Sequence, residues 1–441
     1  MMNKEEVLKR LEDKGYESYL VGGYIRDKLM GRTSSDIDIA TKARPSEIKE
    51  VFKDYNTIDV GKVFGTIKLI TDGGEYEITT FRTDLSYKDK RRPEAVNFSE
   101  TIEEDLKRRD FTINAMAYRN GKLFDPFEGQ NDLLRKVIRA VGNPYERIGE
   151  DYLRALRAVR FAANFGFIIE DNLKEAIRKN LKNLEYISVE RQAAEINKIL
   201  VGNDPTRGIR LLDETGLLDK IFPEVKDMVG FNQHSPHHYL DCFEHSLKVL
   251  EETPTDLTTR LAALFHDTGK PATFFLDDNG NGRFFSHQKI SRDLAERRLK
   301  YLKYPKKTIE DVGDLIGRHM DSSNIYTEKS VARLLRKLGE DNLRRLFDLQ
   351  EADILATVHT DISNIENARK LLKEILDKKP ILSRKDLAID GNDIINLGYK
   401  EGPLIGEILG EIERCVFEEN LTNDREILLA FAINLGRKLD R

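Results

Sequence analysis

Residues 19–40 read "YLVGGYIRDKLMGRTSSDIDIA". An apolar run ends in Gly22-Gly23, and the alternation Asp36-Ile37-Asp38-Ile39 closes the stretch. On a strand, positions i and i+2 share a face, so Asp36 and Asp38 stand side by side. Two adjacent carboxylates repel, and one or two Mg²⁺ ions would suit them, because hard cations take oxygen ligands. Such a site is often completed by a third carboxylate. Glu77 in "EYEITTFR" is the first candidate and Glu75 the second, on a neighbouring strand. The glycine turn lets backbone N–H groups approach an anion, the next segment opens a helix, and Arg26 adds charge. Each piece alone also fits a plain strand–turn–helix or a solvated strand end. GGxxRD followed nine residues on by DxD is far more specific than either.

Outward from this stretch, residues 19–120 carry short β-like runs broken by Gly and Asp turns, which predicts an α/β domain behind an early helix. From about residue 130 the apolar spacing is almost wholly helical. The 441 residues leave room for two to four domains, and the net charge of −5 excludes a global basic field, so any nucleic acid must be met by local patches. Cys242 and Cys415 form no CxxC, which excludes a disulfide framework and a zinc knuckle. The start has no apolar h-region, and the run 427–433 is too short to span a bilayer. A soluble, cytoplasmic protein without a membrane contact is expected.

"EDYLRALRAVRF" (Glu150 to Phe161) sets Arg154, Arg157 and Arg160 three apart, after Asp151. On a helix these form a slowly drifting stripe, and like charges at that spacing cost roughly 0.2–0.5 kcal/mol per pair. An anionic ligand such as a triphosphate reverses the sign; solvated or interhelical ion pairs are the plainer reading. Asp151 and Arg154 together suggest selection of bases. Cytosine and adenine both show an amino donor beside a ring-nitrogen acceptor, which a carboxylate and a guanidinium can meet. Uracil and guanine show the reverse, and mismatched buried polar groups cost a few kcal/mol.

The stretch 19–40, with "RRDFTINAMA" (Arg108 to Ala117), "DPFEGQNDL" (Asp125 to Leu133), "EDYLRALRAVRF" and "ERQAAEINKIL" (Glu190 to Leu200), resembles the class II tRNA nucleotidyltransferases, the CCA-adding enzymes and their poly(A) polymerase relatives. The resemblance implies an α/β nucleotidyltransferase head of the polymerase-β type, with Mg²⁺ at Asp36 and Asp38. It implies that Asp151 and Arg154 act as a protein template for CTP and ATP, and that Arg109, Arg157 and Arg160 contact triphosphate or ribose. The charged segment Arg82 to Val96 reads as a mobile loop. Its full length argues against a CC-only member, while an A-adding enzyme or a poly(A) polymerase stays open.

Histidine marks a further region: none occurs before His234, seven fall between His234 and His319, and His359 is the eighth. His245 lies on an amphipathic pattern, His266 and Asp267 are adjacent in "RLAALFHDTGKP", and His287, His319 and Asp353 follow on separate segments. Imidazoles and carboxylates so arranged suit a divalent transition metal or a binuclear pair. The pattern resembles the HD-domain phosphohydrolases. That resemblance implies metal binding (Mn, Ni, Co or Fe) by His245, His266, Asp267 and Asp353, with His287 and His319 as the extra ligands of binuclear members. It also implies hydrolysis of phosphomonoesters or 2′,3′-cyclic phosphates; a helical scaffold that turns over nothing is the plainer alternative. His234, His237, His238 and His359 read as structural or surface residues.

The last stretch, "DLAIDGNDIINLGYKEGPLIGEIL" (Asp386 to Leu409), resembles the tail of HD-containing CCA enzymes and reads as short helices joined by tight loops. Contact with the tRNA body is one reading, a plain packing module the other. The expected organisation is a head at 1–135, an all-α neck with the nucleotide-selecting helix at 136–225, an HD domain at 226–375 and a helical tail at 376–441. The expected partners are the tRNA 3′ end and acceptor stem, CTP and ATP, and an oligomer is left open. The rival from another class is a metal-dependent phosphohydrolase whose head senses nucleotides; a tRNA-binding protein without activity would need neither the carboxylates nor the template pair.

Overall fold

A computed structural model of the chain describes residues 2–34, 36–60, 65–84, 96–235, 239–377, 384–418 and 421–439. The chain divides into two compact units, Met1–Lys226 with Arg298–Tyr304, and Asp227–Arg297 with Pro305–Arg441.

The first unit opens with α1 (Lys4–Asp13), β1 (Ser18–Val21), α2 (Gly23–Leu29), β2 (Ile37–Thr41) and α3 (Pro45–Val51). It continues through β3 (Asn56–Asp59), β4 (Thr66–Thr71), β5 (Gly74–Thr80), β6 (Arg82–Asp84), β7 (Val96–Phe98) and α4 (Ile102–Lys107), to β8 (Ala117–Arg119) and β9 (Lys122–Phe124). Seven strands form one sheet in the order β3-β4-β5-β2-β1-β8-β9. Only β2 and β5 run parallel, with Asp38 opposite Glu77. The period of two decides the layers. Leu20, Ile39, Ile67 and Ile78 pack with Val7, Leu11, Ile25, Ile48 and Phe52 from α1–α3. Their neighbours Val21 and Ala40 face the other way, onto Ile102 and Leu106 of α4.

Beyond the sheet follow α5 (Gly129–Arg135), β10 (Val137–Ile138), α6 (Pro144–Glu150), α7 (Leu153–Phe165), β11 (Ile168–Ile169), α8 (Asp171–Lys179), α9 (Val189–Leu200), α10 (Pro205–Glu214), α11 (Leu217–Ile221) and α12 (Pro223–Lys226). The expectation of an almost wholly helical chain after residue 130 needs one correction here, because β10 and β11 pair in parallel. A two-residue strand lies below what periodicity can register. Helix α7 buries its Ala-rich side completely. A Cβ on Gly208 of α10 would sit 2.3 Å from Ile199 of α9, so glycine sets how closely these helices pack.

The second unit contains α13 (Cys242–Glu252), α14 (Leu257–Phe265), α15 (Lys270–Thr273), a hairpin of β12 (Phe275–Leu276) and β13 (Gly282–Arg283), and α16 (His287–Tyr301) up to Arg297. Then come α17 (Lys306–Arg318), α18 (Glu328–Leu355), α19 (Ser363–Asp377), α20 (Gly391–Asn396), α21 (Pro403–Glu418) and α22 (Arg425–Leu439). The hairpin is a second departure from the all-helical reading. Gly339, at φ 76° and ψ 168°, kinks α18. In the stretch 386–409 the expected short helix is α20, of six residues, whereas α21, which opens there, runs on to 16. Pro403 opens α21, and Ile405, Ile408 and Ile412 recur at helical spacing into a separate core with Ile394 and Leu428.

The expected mobile loop Arg82 to Val96 begins and ends on paired strands, β6 and β7. Residues 85–95 of it lie outside the described residues, as do His237 and His238. Among the described residues no helix is long and apolar enough to cross a membrane.

Candidate functional site

The parallel register of β2 and β5 places Glu77 beside Asp38. Ile37 and Ile39 point away with Tyr76 and Ile78, so the carboxylates occupy the opposite, accessible face. Burial pushes the Asp38 carboxyl above its ordinary range, Arg109 opposes this, and Glu77 and Asp36 reinforce it. A half-buried carboxylate crowded by two others is a donor set that a hard divalent cation relieves, and Mg²⁺ fits it. Glu75, the second candidate, is held by Lys68 Nζ at 2.6 Å.

Gly22 has φ 69°, and a Cβ there would stand 2.8 Å from Arg109 Nη1 and 3.2 Å from Asp38 Oδ2. The glycine therefore lets the turn approach both the carboxylate and the guanidinium. Gly23 follows as the first residue of α2.

Val21, Gly22, Gly23, Arg26, Asp38 and Arg109 line a cleft of about 550 Å³ together with Asp110, Asp151, Arg154, Arg157 and Arg191. Helices α2 and α7 are linked there through one chain of polar contacts. Arg26 Nη1 donates to Asn114 Oδ1 at 2.7 Å, and its guanidinium lies over the Phe165 ring. Asn114 Nδ2 donates to Asp110 Oδ1 at 3.0 Å, and Arg157 Nε donates to Asp110 Oδ2 at 2.8 Å. Burial alone would raise the Asp110 carboxyl, but Arg157, Asn114 and Arg154 overcome it and hold the group well below the usual carboxylate range. Asp105, buried beneath, receives Arg108 at 2.7 Å and Arg109 at 3.1 Å.

The arginine stripe is real but differs in detail from the simple helical picture. Asp151 precedes α7 in an extended conformation (φ −144°, ψ 105°) rather than lying on the helix. Its Oδ1 accepts from the Leu153 N–H at 3.0 Å and its Oδ2 from Arg191 Nη2 at 2.8 Å. Arg154 Nη1 donates to Glu150 Oε2 at 2.6 Å, and Nη2 to the Arg108 carbonyl at 3.1 Å. Arg160 departs furthest: it pairs with buried Glu195 of α9 at 2.6 Å and is not among the cleft-lining residues. A step of three residues turns a helix by about 300°, so the stripe has rotated away after two steps. Sequence reasoning missed Asp110, Asn114 and Arg191, although all lie inside the motifs it singled out.

The second unit holds a separate cluster. His245 comes from α13, His266 and Asp267 from the end of α14, His287 from the start of α16, His319 from the end of α17 and Asp353 from α18. His266, His287 and His319 each direct Nδ1 at the carbonyl of the residue three before it, at 2.8, 2.9 and 2.7 Å, and His245 Nδ1 faces the Ala356 carbonyl at 3.4 Å. Nδ1 therefore donates to these carbonyls, and the Nε2 atoms face inward, the orientation in which a neutral imidazole binds a metal. Ligand atoms of His245, His266 and Asp267, and of Asp267, His287 and His319, lie within 4.8 Å of one another. Asp353 Oδ1 stands 3.0 Å from His245 Nε2. Asp267 is buried with Oδ2 3.2 Å from His266 Nε2 and 2.7 Å from Lys270 Nζ, and Oδ1 3.3 Å from His287 Nε2. Burial, with His266 beside it, pushes the His319 imidazole down to about 4, so it is neutral near pH 7. Asp267 belongs to both triads, and the donor set fits a divalent transition metal or a pair sharing that carboxylate. His234 and His359 are exposed and outside the cluster.

Comparison with known proteins agrees with the head. Residues 18–139 match the model of the poly A polymerase head domain, 166–229 a probable RNA- and SrmB-binding site of polymerase A, and 283–432 a putative domain 2 of tRNA nucleotidyltransferases. A CCA-adding enzyme of Lacticaseibacillus paracasei is 36% identical over 435 residues, covering 98% of this chain and 96% of that protein. The chain belongs to the CCA-adding enzyme family. A second family member, from Geobacillus sp., is 35% identical over 95% of this chain and 93% of its own length. The crystal structure of the Bacillus stearothermophilus CCA-adding enzyme in complex with CTP is similar at a TM-score of 0.69 and 30% identity, covering 98% of this chain and 97% of that one.

Proposed function

We propose that this family member adds C, C and A to the tRNA 3′ end from CTP and ATP without a nucleic-acid template. The reading rests above all on the juxtaposition of Asp38 and Arg109 with the Asp151–Arg154 pair around one cleft, with Glu77 in register beside Asp38. Relatives named as CCA-adding enzymes along almost the whole chain support it. Mg²⁺ at Asp36, Asp38 and Glu77 would favour ionisation of the terminal ribose 3′-OH and neutralise charge on the phosphates. The chain's own groups do the rest. Arg109 and Arg157 face the triphosphate, with Arg26 of α2 behind them. Arg154 donates to the ring nitrogen of cytosine or adenine, and Asp151 accepts from the exocyclic amine. The 3′-oxygen then bonds to the α-phosphorus, the α–β bridging bond breaks, and pyrophosphate leaves with the charge.

The test supplies tRNAs ending before each of the three terminal nucleotides with each of the four NTPs. Addition of C, C and A in order supports the reading. Addition of A alone assigns an A-adding enzyme, and an untemplated run of A assigns a poly(A) polymerase.

A second reading concerns the histidine cluster, and four inward-facing Nε2 atoms around Asp267 favour it. The cluster is proposed as the metal site of an HD-type phosphohydrolase that trims damaged 3′ ends. Bound metal would supply an activated water and stabilise charge on the phosphorus. The water oxygen bonds to phosphorus, one ester P–O bond breaks, and the freed ribose oxygen takes a proton. Asp36→Ala separates the two activities: transfer is lost and hydrolysis stays.

A further inference from the structure

The β12–β13 hairpin carries aromatic surface that the fold does not use. Phe274 and Phe284 turn inward onto Phe231, and Lys270 lies over the Phe284 ring. Phe275 and Phe285 turn outward with centroids 5.5 Å apart, and they are 45% and 73% exposed. Leu276 beside them is 52% exposed. The hairpin is held firmly. Gly282 N–H donates to the His234 carbonyl at 2.7 Å, and Asp277 closes the turn by accepting from Asn279 and Asn281 and pairing with Arg283. Rigid, exposed rings gain nothing for folding, and exposed apolar patches mark binding surfaces.

Two further observations identify the occupant. The Phe284 carbonyl holds His287 Nδ1, so the turn after β13 that carries Phe285 also sets one inward-facing imidazole of the cluster. Phe285 is two residues from His287, at most about 7 Å along the chain. The neighbouring cations, Arg283 and Lys289, are both exposed, and Lys289 makes no ion pair among the described residues. A shelf of two rings and one leucine is far below the roughly 800 Å² per partner that a stable protein contact needs. It matches one or two flat bases, with cations for their phosphates.

Resting on the phosphohydrolase reading of the cluster, we propose that Phe275 and Phe285 form a stacking shelf for the unpaired terminal bases of an RNA 3′ end, holding its terminal phosphate at the histidine cluster. The site thereby selects RNA ends over base-free phosphate esters.

The test uses the full chain loaded with metal. The probes are a short single-stranded RNA ending in a 2′,3′-cyclic phosphate, the same RNA with a photoactivatable terminal base, and β-glycerophosphate. Phe275→Ala/Phe285→Ala should keep metal content and melting temperature, lower kcat/KM for the RNA by about tenfold or more, and leave β-glycerophosphate hydrolysis unchanged. Phe285→Tyr should keep the RNA activity. The crosslink should map to 275–285 in the parent chain and vanish in the double variant. Equal loss on both substrates, an RNA rate that does not change, or a dimer dissolved by the double variant without effect on RNA would overturn the shelf. A crosslink at 275–285 in a chain that hydrolyses neither substrate supports the shelf as an RNA site and overturns the phosphohydrolase reading.

Discussion

Arg191 Nη2 donates to Asp151 Oδ2 at 2.8 Å, across 40 residues of sequence. Helix α9 thereby fixes a carboxylate that α7 leaves outside its own first turn. Arg191→Ala should free Asp151 to rotate and cost about 1–3 kcal/mol of discrimination, roughly 5- to 150-fold between CTP and UTP. Arg191→Lys, which keeps the charge but not the fork, should recover part of it. Single-nucleotide kinetics with each NTP measures this.

Gly22 should tolerate no side chain. At φ 69° an alanine is strained by about 1–3 kcal/mol, and its Cβ would collide with Arg109 beside Asp38. Gly22→Ala should lower NMP transfer more than about hundredfold with a smaller loss of melting temperature. Near-normal kcat/KM would show that the turn does not position the guanidinium.

Asp110 links α2 to α7, through Asn114 to Arg26 and directly to Arg157, so Asp110→Asn should destabilise the first unit by about 3–5 kcal/mol. Its folded pKa lies below the unfolded one, so the stabilisation is present above about pH 4 and is lost as pH falls further. Denaturant titrations at several pH values should therefore show the gap between parent and variant narrowing on the acid side; a gap independent of pH contradicts the ion pair.

Much of this was legible in the sequence. Alternation in Asp36-Ile37-Asp38-Ile39 is enough to place Asp38 on a strand, with Asp36 one residue before it rather than on it, and glycine before GxxRD marks the turn. Ordered histidines announced a cluster, because adjacent His-Asp at a helix end has few purely structural uses. What was not legible depends on tertiary contact. That Arg157 faces the cleft while Arg160 turns to Glu195 follows from how α7 packs on α9. Asp151 leaves the helix because its side chain caps the Leu153 N–H. Phe274 to Phe285 held a hairpin signal, aromatic pairs around Asp-Asp-Asn-Gly-Asn-Gly, that the surrounding helical pattern obscured.

Metal should be bound without added metal salts if the histidine cluster is a site. The purified chain should contain a divalent transition metal, and a strong chelator should lower its melting temperature while Mg²⁺-supported transfer survives. His266→Ala/Asp267→Ala should bind none. Full metal content in that variant would place the ion elsewhere.

The central claim is that Asp151 and Arg154 stand in for a template base, and single-turnover addition of each NTP to a tRNA lacking its last three nucleotides tests it most directly. The parent chain should add CTP and reject UTP and GTP, while Asp151→Asn should accept UTP or GTP within about tenfold of CTP. Unchanged rejection of UTP and GTP by Asp151→Asn and by Arg154→Gln, in folded proteins that still transfer CMP, would contradict it.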